Sequence, residues 1–362
     1  MRHTLLKTLG LAGLLATSFA GAAAGHPGQA LSARAGIPWP TVIAHRGASH
    51  DAPEETAPAY LAARELGADY LEADLQRTRD GVLIALHDDT LERTTNVAEV
   101  FPARAKDPVS SFTLAELKRL DAGSWFNQAY PERARAKFAG LRILTLDELI
   151  DIAEGGAHKP GLYLETKGPA QFPGIEEDLR KALQRRGWLS PQSLARGGVV
   201  LQTFEKGSLE LLQKSMPQVP KVLLLWVGDG YMAPRSEVTF KDSGAPDKAT
   251  FYAARQVKSK EEFSAWIDWA KAHGAAGTGP SATLSERGEQ SYMDLVKPWM
   301  NQLTHQRGLF IHAYAVDSDV DFKRLSEAGV DGFFTNRADR LLAFYGRPAA
   351  KSVGAILTGL GY

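Results

Sequence analysis

From residue 41 onward, short apolar stretches and amphipathic stretches take turns along the chain, and that alternation leaves few folds open. Strands are predicted at TVIAH (41–45), YLEADLQ (70–76), VLIALH (82–87), LYLET (162–166), GVVLQTF (198–204), KVLLLW (221–226), LFIHAYAV (309–316) and DGFFT (331–335), with a weaker one near Gly274 to Gly277. Between most of them lie helical patterns such as APAYLAAREL, TLDELIDIAE, GIEEDLRKALQRR and SKEEFSAWIDWAKAHG. Strand and helix in alternation predict a parallel sheet covered by helices. About eight such strands in one domain-sized span predict a closed (β/α)8 TIM barrel over residues 40–346. An open doubly wound sheet is the alternative, but the first strand runs into HRGASHD, which lacks the Gly-rich dinucleotide turn.

The alternation breaks between about residues 89 and 142, where the one clear helix is TLAELKRL and where Trp125, Phe126 and Tyr130 fall. Excursions of this length are usually functional or separately folded. The expectation is an insertion capping the C-terminal mouth of the barrel, with its aromatics toward substrate; a solvated excursion is the alternative. Residues 1–24 combine a basic start (Arg2, Lys7), the apolar run LGLAGLLATSFA and small residues at Ala20-Gly21-Ala22. That is the pattern of a secretory signal peptide, and the run is too short to span a membrane. Residues 25–39 read as a flexible leader and 347–362 as a C-terminal tail.

Two carboxylates mark the centre of the chemistry. In an extended strand Glu72 and Asp74 project from one face, which makes a pocket for a hard cation. After the Asp80-Gly81 turn the next strand delivers His87-Asp88 at its far end, beside His45 if the strands share a sheet. The chain has no cysteine, which excludes thiolate catalysis and thiolate metal sites. Its 42 basic and 42 acidic residues balance, and without a basic run nucleic acid is not an expected partner. In a barrel, His45, Glu72, Asp74, Glu165, Gln202, Phe204, Trp226 and His312 fall at or near strand ends, where the C-terminal rim carries chemistry. Trp226 is taken as a pocket-lining residue.

His45-Arg46-Gly47, Pro53-Glu54-Glu55-Thr56, Glu72-Ala73-Asp74, Asp80-Gly81, His87-Asp88 and Glu165-Thr166-Lys167, in this order, resemble the motifs of the glycerophosphodiester phosphodiesterases. The segment Thr90-Leu91-Glu92-Arg93-Thr94-Thr95 resembles most the exported, periplasmic bacterial members that release glycerol 3-phosphate. The resemblance implies a (β/α)8 barrel, a divalent cation held by Glu72, Asp74 and Glu165, and His45 and His87 as acid and base. It places Arg46 and Lys167 at phosphate-binding positions. All-oxygen ligation points to Ca²⁺ or Mg²⁺ rather than zinc, and the resembling members favour Ca²⁺. Two departures stand out: Glu55 occupies the place of the family's usual Asn, and Thr335-Asn336-Arg337-Ala338-Asp339 replaces its usual closing motif.

Histidines titrate near neutral pH, so two of them can divide proton removal from the nucleophile and proton donation to the leaving alcohol; the sequence does not say which does which. Glu54 is placed to orient Arg46 or a histidine, or else to serve as an acid at the start of a helix. The expected activity is hydrolysis of glycerophosphodiesters such as glycerophosphocholine and glycerophosphoethanolamine to sn-glycerol 3-phosphate and an alcohol. Alternatives are a lipid phosphodiesterase of the lysophospholipase D or sphingomyelinase D kind, and a glycerophosphodiester-binding protein without turnover. The latter predicts loss of a ligand or histidine, and none is lost.

Overall fold

The computed structural model describes residues 25–226, 240–285 and 294–362; the expected signal peptide lies outside them. Among the described residues nine strands form one sheet: β1 (Thr41–Ala44), β2 (Tyr70–Arg77), β3 (Leu83–Ala85), β4 (Gly161–Thr166), β5 (Val199–Thr203), β6 (Lys221–Leu225), β7 (Gly277–Pro280), β8 (Phe310–Ala313) and β9 (Gly332–Thr335). Eight of them pair in parallel in the order β1-β9-β8-β7-β6-β5-β4-β2, and a β1–β2 pairing closes the ring. The architecture is a (β/α)8 TIM barrel, as expected. Inside it Ile43, Tyr70, Tyr163, Val200, Val222, Leu224, Phe310 and Phe334 form one apolar cluster, the filled interior that gives such a barrel a core rather than a pore.

The weak strand near Gly274 to Gly277 is displaced to Gly277–Pro280. Its sequence, GTGP, has little intrinsic strand preference, and packing selects it. A Cβ on Gly277 would come within 2.3 Å of the Phe310 ring, so the residue opposite that ring must be glycine.

β3 stands outside the ring. It runs antiparallel to β2, with Leu75 opposite Ala85 and Arg77 opposite Leu83, whereas β1 pairs lower on the same strand, with Ile43 opposite Tyr70 and Ala44 opposite Leu71. Where β1 stops, β3 takes over. The ends of these two strands therefore bracket Glu72 and Asp74 from below and above.

Three segments differ from expectation or extend it. The 25–39 leader, expected to be without structure of its own, holds a helix, Pro27–Arg34, and Trp39 Nε1 and His26 Nδ1 each lie 3.3 Å from buried Asp331 just before β9. Residues 89–142 fold into short helices and turns around their own core of Leu91, Val97, Val109, Phe112, Leu117 and Leu120, which packs on Ile84 and Leu86. The 347–362 tail holds the helix Val353–Gly359, which packs against Ala57–Leu66. Among the described residues no helix is long and apolar enough to cross a membrane.

Candidate active site

β1 ends at Ala44, and His45 N–H still donates to Thr335 O of β9 at 2.9 Å, so His45 projects from the C-terminal rim. The chain then turns sharply. Arg46 takes a left-handed conformation, φ 57°, which is uncommon for a residue with a side chain and concentrates at functional sites. The turn aims the Arg46 N–H at Glu72 Oε2, 2.8 Å away. Gly47 follows at φ 86° with Ala59 so near that a Cβ would meet its backbone at 2.6 Å, so the loop can lie flat on the helix Ala57–Leu66 only with glycine there.

His87 arrives from the other side. Leu86 N–H donates to Asp74 O at 2.9 Å, and Gln76 Nε2 donates to Leu86 O and Asp88 O at 2.7 and 2.8 Å. The loop carrying His87 is thereby pinned to β2. One cavity at the C-terminal end of the barrel is lined by His45, Arg46, Glu72, Asp74, His87, Glu165, Lys167, Gln202, Phe204, Leu224, Tyr314 and Phe334. Seven of the eight expected site residues meet there. Trp226 does not: it is half-buried with its ring 5.2 Å from that of Tyr252, in an apolar cluster beside β6. His312 also points elsewhere, into the barrel interior, with Nδ1 3.0 Å from the Tyr163 hydroxyl.

Glu72, Asp74 and Glu165 are buried, and each offers an oxygen within 4.8 Å of the others. Their electrostatics show why a cation suits them. Burial, together with Asp74, raises Glu72 well above the usual carboxylate range. Burial likewise pushes Glu165 up to about 8, with Asp74 adding to the effect and Lys167 opposing it. Asp74 goes the other way: against the effect of burial, Lys167 and Arg46 hold it below the ordinary range. Arg46 Nε is 3.0 Å from Asp74 Oδ2, and Lys167 Nζ is 3.4 Å from Glu165 and 3.7 Å from Asp74. Three crowded carboxylates with hard oxygen donors fit a divalent ion of the calcium or magnesium type. Gln202 Nε2 donates to Glu72 Oε1 at 3.0 Å and fixes that carboxylate further.

Each histidine has its own orienting group. His45 Nδ1 lies 2.8 Å from Asn336 Oδ1. The Asn336 amide is set by Asp317, whose carboxylate accepts from Asn336 Nδ2 and from its backbone N–H, both at 2.7 Å. Oδ1 therefore faces His45, and the contact requires the hydrogen on Nδ1, leaving Nε2 with a lone pair. Burial first and Arg46 second push His45 down to about 3. His87 Nδ1 is 2.7 Å from a carboxylate oxygen of Asp88. Glu54, one of whose two expected roles was to orient Arg46, does so: its Oε1 accepts from Arg46 Nη1 at 3.0 Å. Glu55, also in a left-handed conformation at φ 56°, accepts the Asp74 N–H at 2.8 Å. Burial and then Asp74 raise its carboxyl well above the usual range.

The aromatics of the 89–142 segment do not reach the cavity. Phe126 is buried against Phe138, and Trp125 and Tyr130 pack beside it. What that segment sends toward the site is Arg93. Neither Arg93 nor the Asn336–Asp317 pair was singled out for a role in the sequence, although Asn336 lies in the departing closing motif.

A parallel barrel whose C-terminal rim gathers an acidic triad, two oriented histidines and two cations has the groups that a metal-assisted hydrolysis would call on. The chain belongs to the glycerophosphoryl diester phosphodiesterase family, whose model matches residues 45–340. It is 36% identical over 297 residues to a glycerophosphodiester phosphodiesterase of Bacillus subtilis, covering 82% of this chain and 83% of that one. Its fold is similar to that of an Oleispira antarctica phosphodiesterase solved with sn-glycerol-3-phosphate (TM-score 0.59, 23% identity, 85% of this chain and 97% of the other). It is also similar to that of a glycerophosphodiester phosphodiesterase from Agrobacterium tumefaciens (TM-score 0.51, 23% identity, 84% and 99%).

Proposed function

We propose that this chain is an exported, periplasmic, metal-dependent enzyme that hydrolyses glycerophosphodiesters, glycerophosphocholine and glycerophosphoethanolamine among them, to sn-glycerol 3-phosphate and the free alcohol. The observation that carries this reading is the convergence of Arg46, Lys167, His45 and His87 on the cavity that also holds the acidic triad. Glu72, Asp74 and Glu165 would hold the cation, with Ca²⁺ the preferred ion. When bound it supplies electrostatic stabilisation of charge at the phosphoryl oxygens and activation of a hydroxyl. Against three carboxylates, such an ion with Arg46 and Lys167 leaves about one net positive charge, which suits a monoanionic diester. The exported location rests on the residue 1–24 pattern. A non-catalytic binding protein would not need two histidines with separately fixed rings.

His45, oriented by a neutral amide and placed beside a guanidinium, is suited to be the unprotonated base. His87 is suited to be the acid, because the Asp88 carboxylate fixes Nδ1–H and leaves Nε2 to deliver a proton to the leaving alcohol. His45 Nε2 removes the proton of the glycerol 2-hydroxyl, the oxygen attacks phosphorus to give a five-membered cyclic phosphate, and His87 protonates the departing alcohol. Water then opens the ring by the reverse proton assignments. Intramolecular attack avoids the entropy of recruiting a second reactant.

The test is leaving-group dependence. A p-nitrophenyl ester leaves without protonation, so His87→Ala should be strongly impaired on glycerophosphocholine and far less on the nitrophenyl ester, whereas His45→Ala should be impaired on both. The reverse pattern would exchange the roles. A glycerophosphocholine analogue lacking the 2-hydroxyl should be turned over poorly, and an equal kcat on the two would make water the nucleophile.

A further inference from the structure

Arg93 lies outside the cavity lining, yet its guanidinium closes a continuous chain of charged groups from the acidic triad to His87. Nε and Nη2 donate to the two oxygens of Asp88 at 2.6 and 2.9 Å, and Nη1 and Nη2 donate to the two oxygens of Glu54 at 2.8 and 2.7 Å. Asp88 Oδ1 in turn meets His87 Nδ1, and Glu54 Oε1 meets Arg46 Nη1, whose Nε meets Asp74. Sign alternates from Asp74 through Arg46, Glu54 and Arg93 to Asp88, which holds the His87 ring. A planar guanidinium can grip two carboxylates bidentately at once, which a lysine ammonium cannot do.

The two grips are unequal in consequence. Glu54 has a second cation, Arg46, and its side chain is mostly buried, so it keeps its place without Arg93. Asp88 is half-exposed, and Arg93 is its ion-pair partner besides His87 itself. Arg93 is in turn held by the 89–142 segment, between buried Leu91 and Thr94 and with its guanidinium 5.9 Å from the Trp125 ring.

We infer that Arg93 is a positioning residue for His87: it clamps Asp88 so that the His87 ring keeps its hydrogen on Nδ1 and presents Nε2 to the leaving alcohol. The folded insertion thereby serves catalysis by supplying this clamp. The inference rests on the proposed phosphodiesterase reading for its kinetic consequence, but not for its structural one.

The experiment has two arms on the full protein with Ca²⁺ present. In the first, long-range ¹H–¹⁵N correlation spectra report the His87 tautomer. The wild type should carry a hydrogen on Nδ1 whether or not Nε2 is protonated, whereas the neutral ring in Arg93→Ala should be a mixture of tautomers, with His45 unchanged. In the second, Arg93→Ala should lower kcat on glycerophosphocholine on the order of tenfold to a hundredfold with KM changed less than about threefold, should act far more weakly on the p-nitrophenyl ester, and should respond to added guanidinium. Arg93→Lys, which keeps the charge and one of the grips, should fall between. Because Arg93 is exposed, the melting temperature should hardly move. An unchanged His87 tautomer in Arg93→Ala overturns the inference whether or not the wild type turns over a diester. Equal loss on both leaving groups with no guanidinium response, in an active wild type, overturns it too. A wild type inactive on every diester instead counts against the functional reading, and the tautomer arm then decides the clamp alone.

Discussion

Asn336 Oδ1 sits 2.8 Å from His45 Nδ1 across the seam where β9 meets β1, and the Asn336 amide is itself locked by two contacts to Asp317. The ring proposed as the base is thus oriented by residues almost three hundred positions away in sequence. Asn336→Ala should free the His45 tautomer and lower kcat by about tenfold or more with a smaller change in KM. Asp317→Asn, which leaves Asn336 free to flip, should give a weaker effect of the same kind. Wild-type kcat in both would show that packing alone orients His45.

The acidic triad makes chelation the simplest perturbation. Excess chelator should abolish turnover reversibly, with Ca²⁺ restoring it. Glu72→Gln should lose most metal affinity while its melting temperature in chelator stays close to that of the wild type, since without a cation the buried Glu72 carboxyl, raised well above the usual range, already favours its neutral form. Calorimetric titration with Ca²⁺ and a thermal melt read the two outcomes.

Glu55 in place of the family's usual Asn is explained by its contact with Asp74. Its Oε1 accepts the Asp74 N–H at 2.8 Å, and an amide oxygen serves equally, so Glu55→Gln should retain activity within a few-fold. Glu55→Ala strands a buried N–H behind a proposed metal ligand, at about 1 to 3 kcal/mol, and should lower both stability and metal affinity. Loss of activity in Glu55→Gln would show that the carboxyl itself is required.

At the opposite end of the barrel Asp331 gives a pH-dependent stability. Burial would raise its pKa, but hydrogen bonds from His26 and His305 hold it at about 2. The folded-state pKa is depressed below the unfolded value, so the stabilisation is complete above the unfolded pKa and is lost as pH falls through the folded one. It amounts to roughly 2 kcal/mol at neutral pH and shrinks to about half of that by pH 3. Denaturant unfolding of wild type and Asp331→Asn at pH 7 and pH 3 should show that narrowing gap, and a gap constant with pH would contradict it.

The barrel and the strands that carry the acidic triad are legible because their signals are local. Apolar runs such as VVLQT and KVLLL need only their own residues to read as strands, and Glu72 and Asp74 share a face by the geometry of any strand. What was not legible depended on distant partners. GTGP becomes a strand because Phe310 and Leu224 pack over its glycines. The Pro27–Arg34 helix is weakly patterned and is held by Asp331, some three hundred residues on. Trp125 and Phe126 read as available to substrate because nothing in sequence shows that Phe138, itself against Tyr362, packs on Phe126. Trp226 at a strand end reads alike whether it turns to the cavity or to Tyr252.

The most direct test is to follow the purified protein with glycerophosphocholine by ³¹P NMR, with Ca²⁺ and with excess chelator. The account predicts conversion to sn-glycerol 3-phosphate with stoichiometric choline when Ca²⁺ is present and none in chelator. Release of phosphocholine and glycerol, which breaks the other ester bond, or undiminished turnover in chelator, would contradict it.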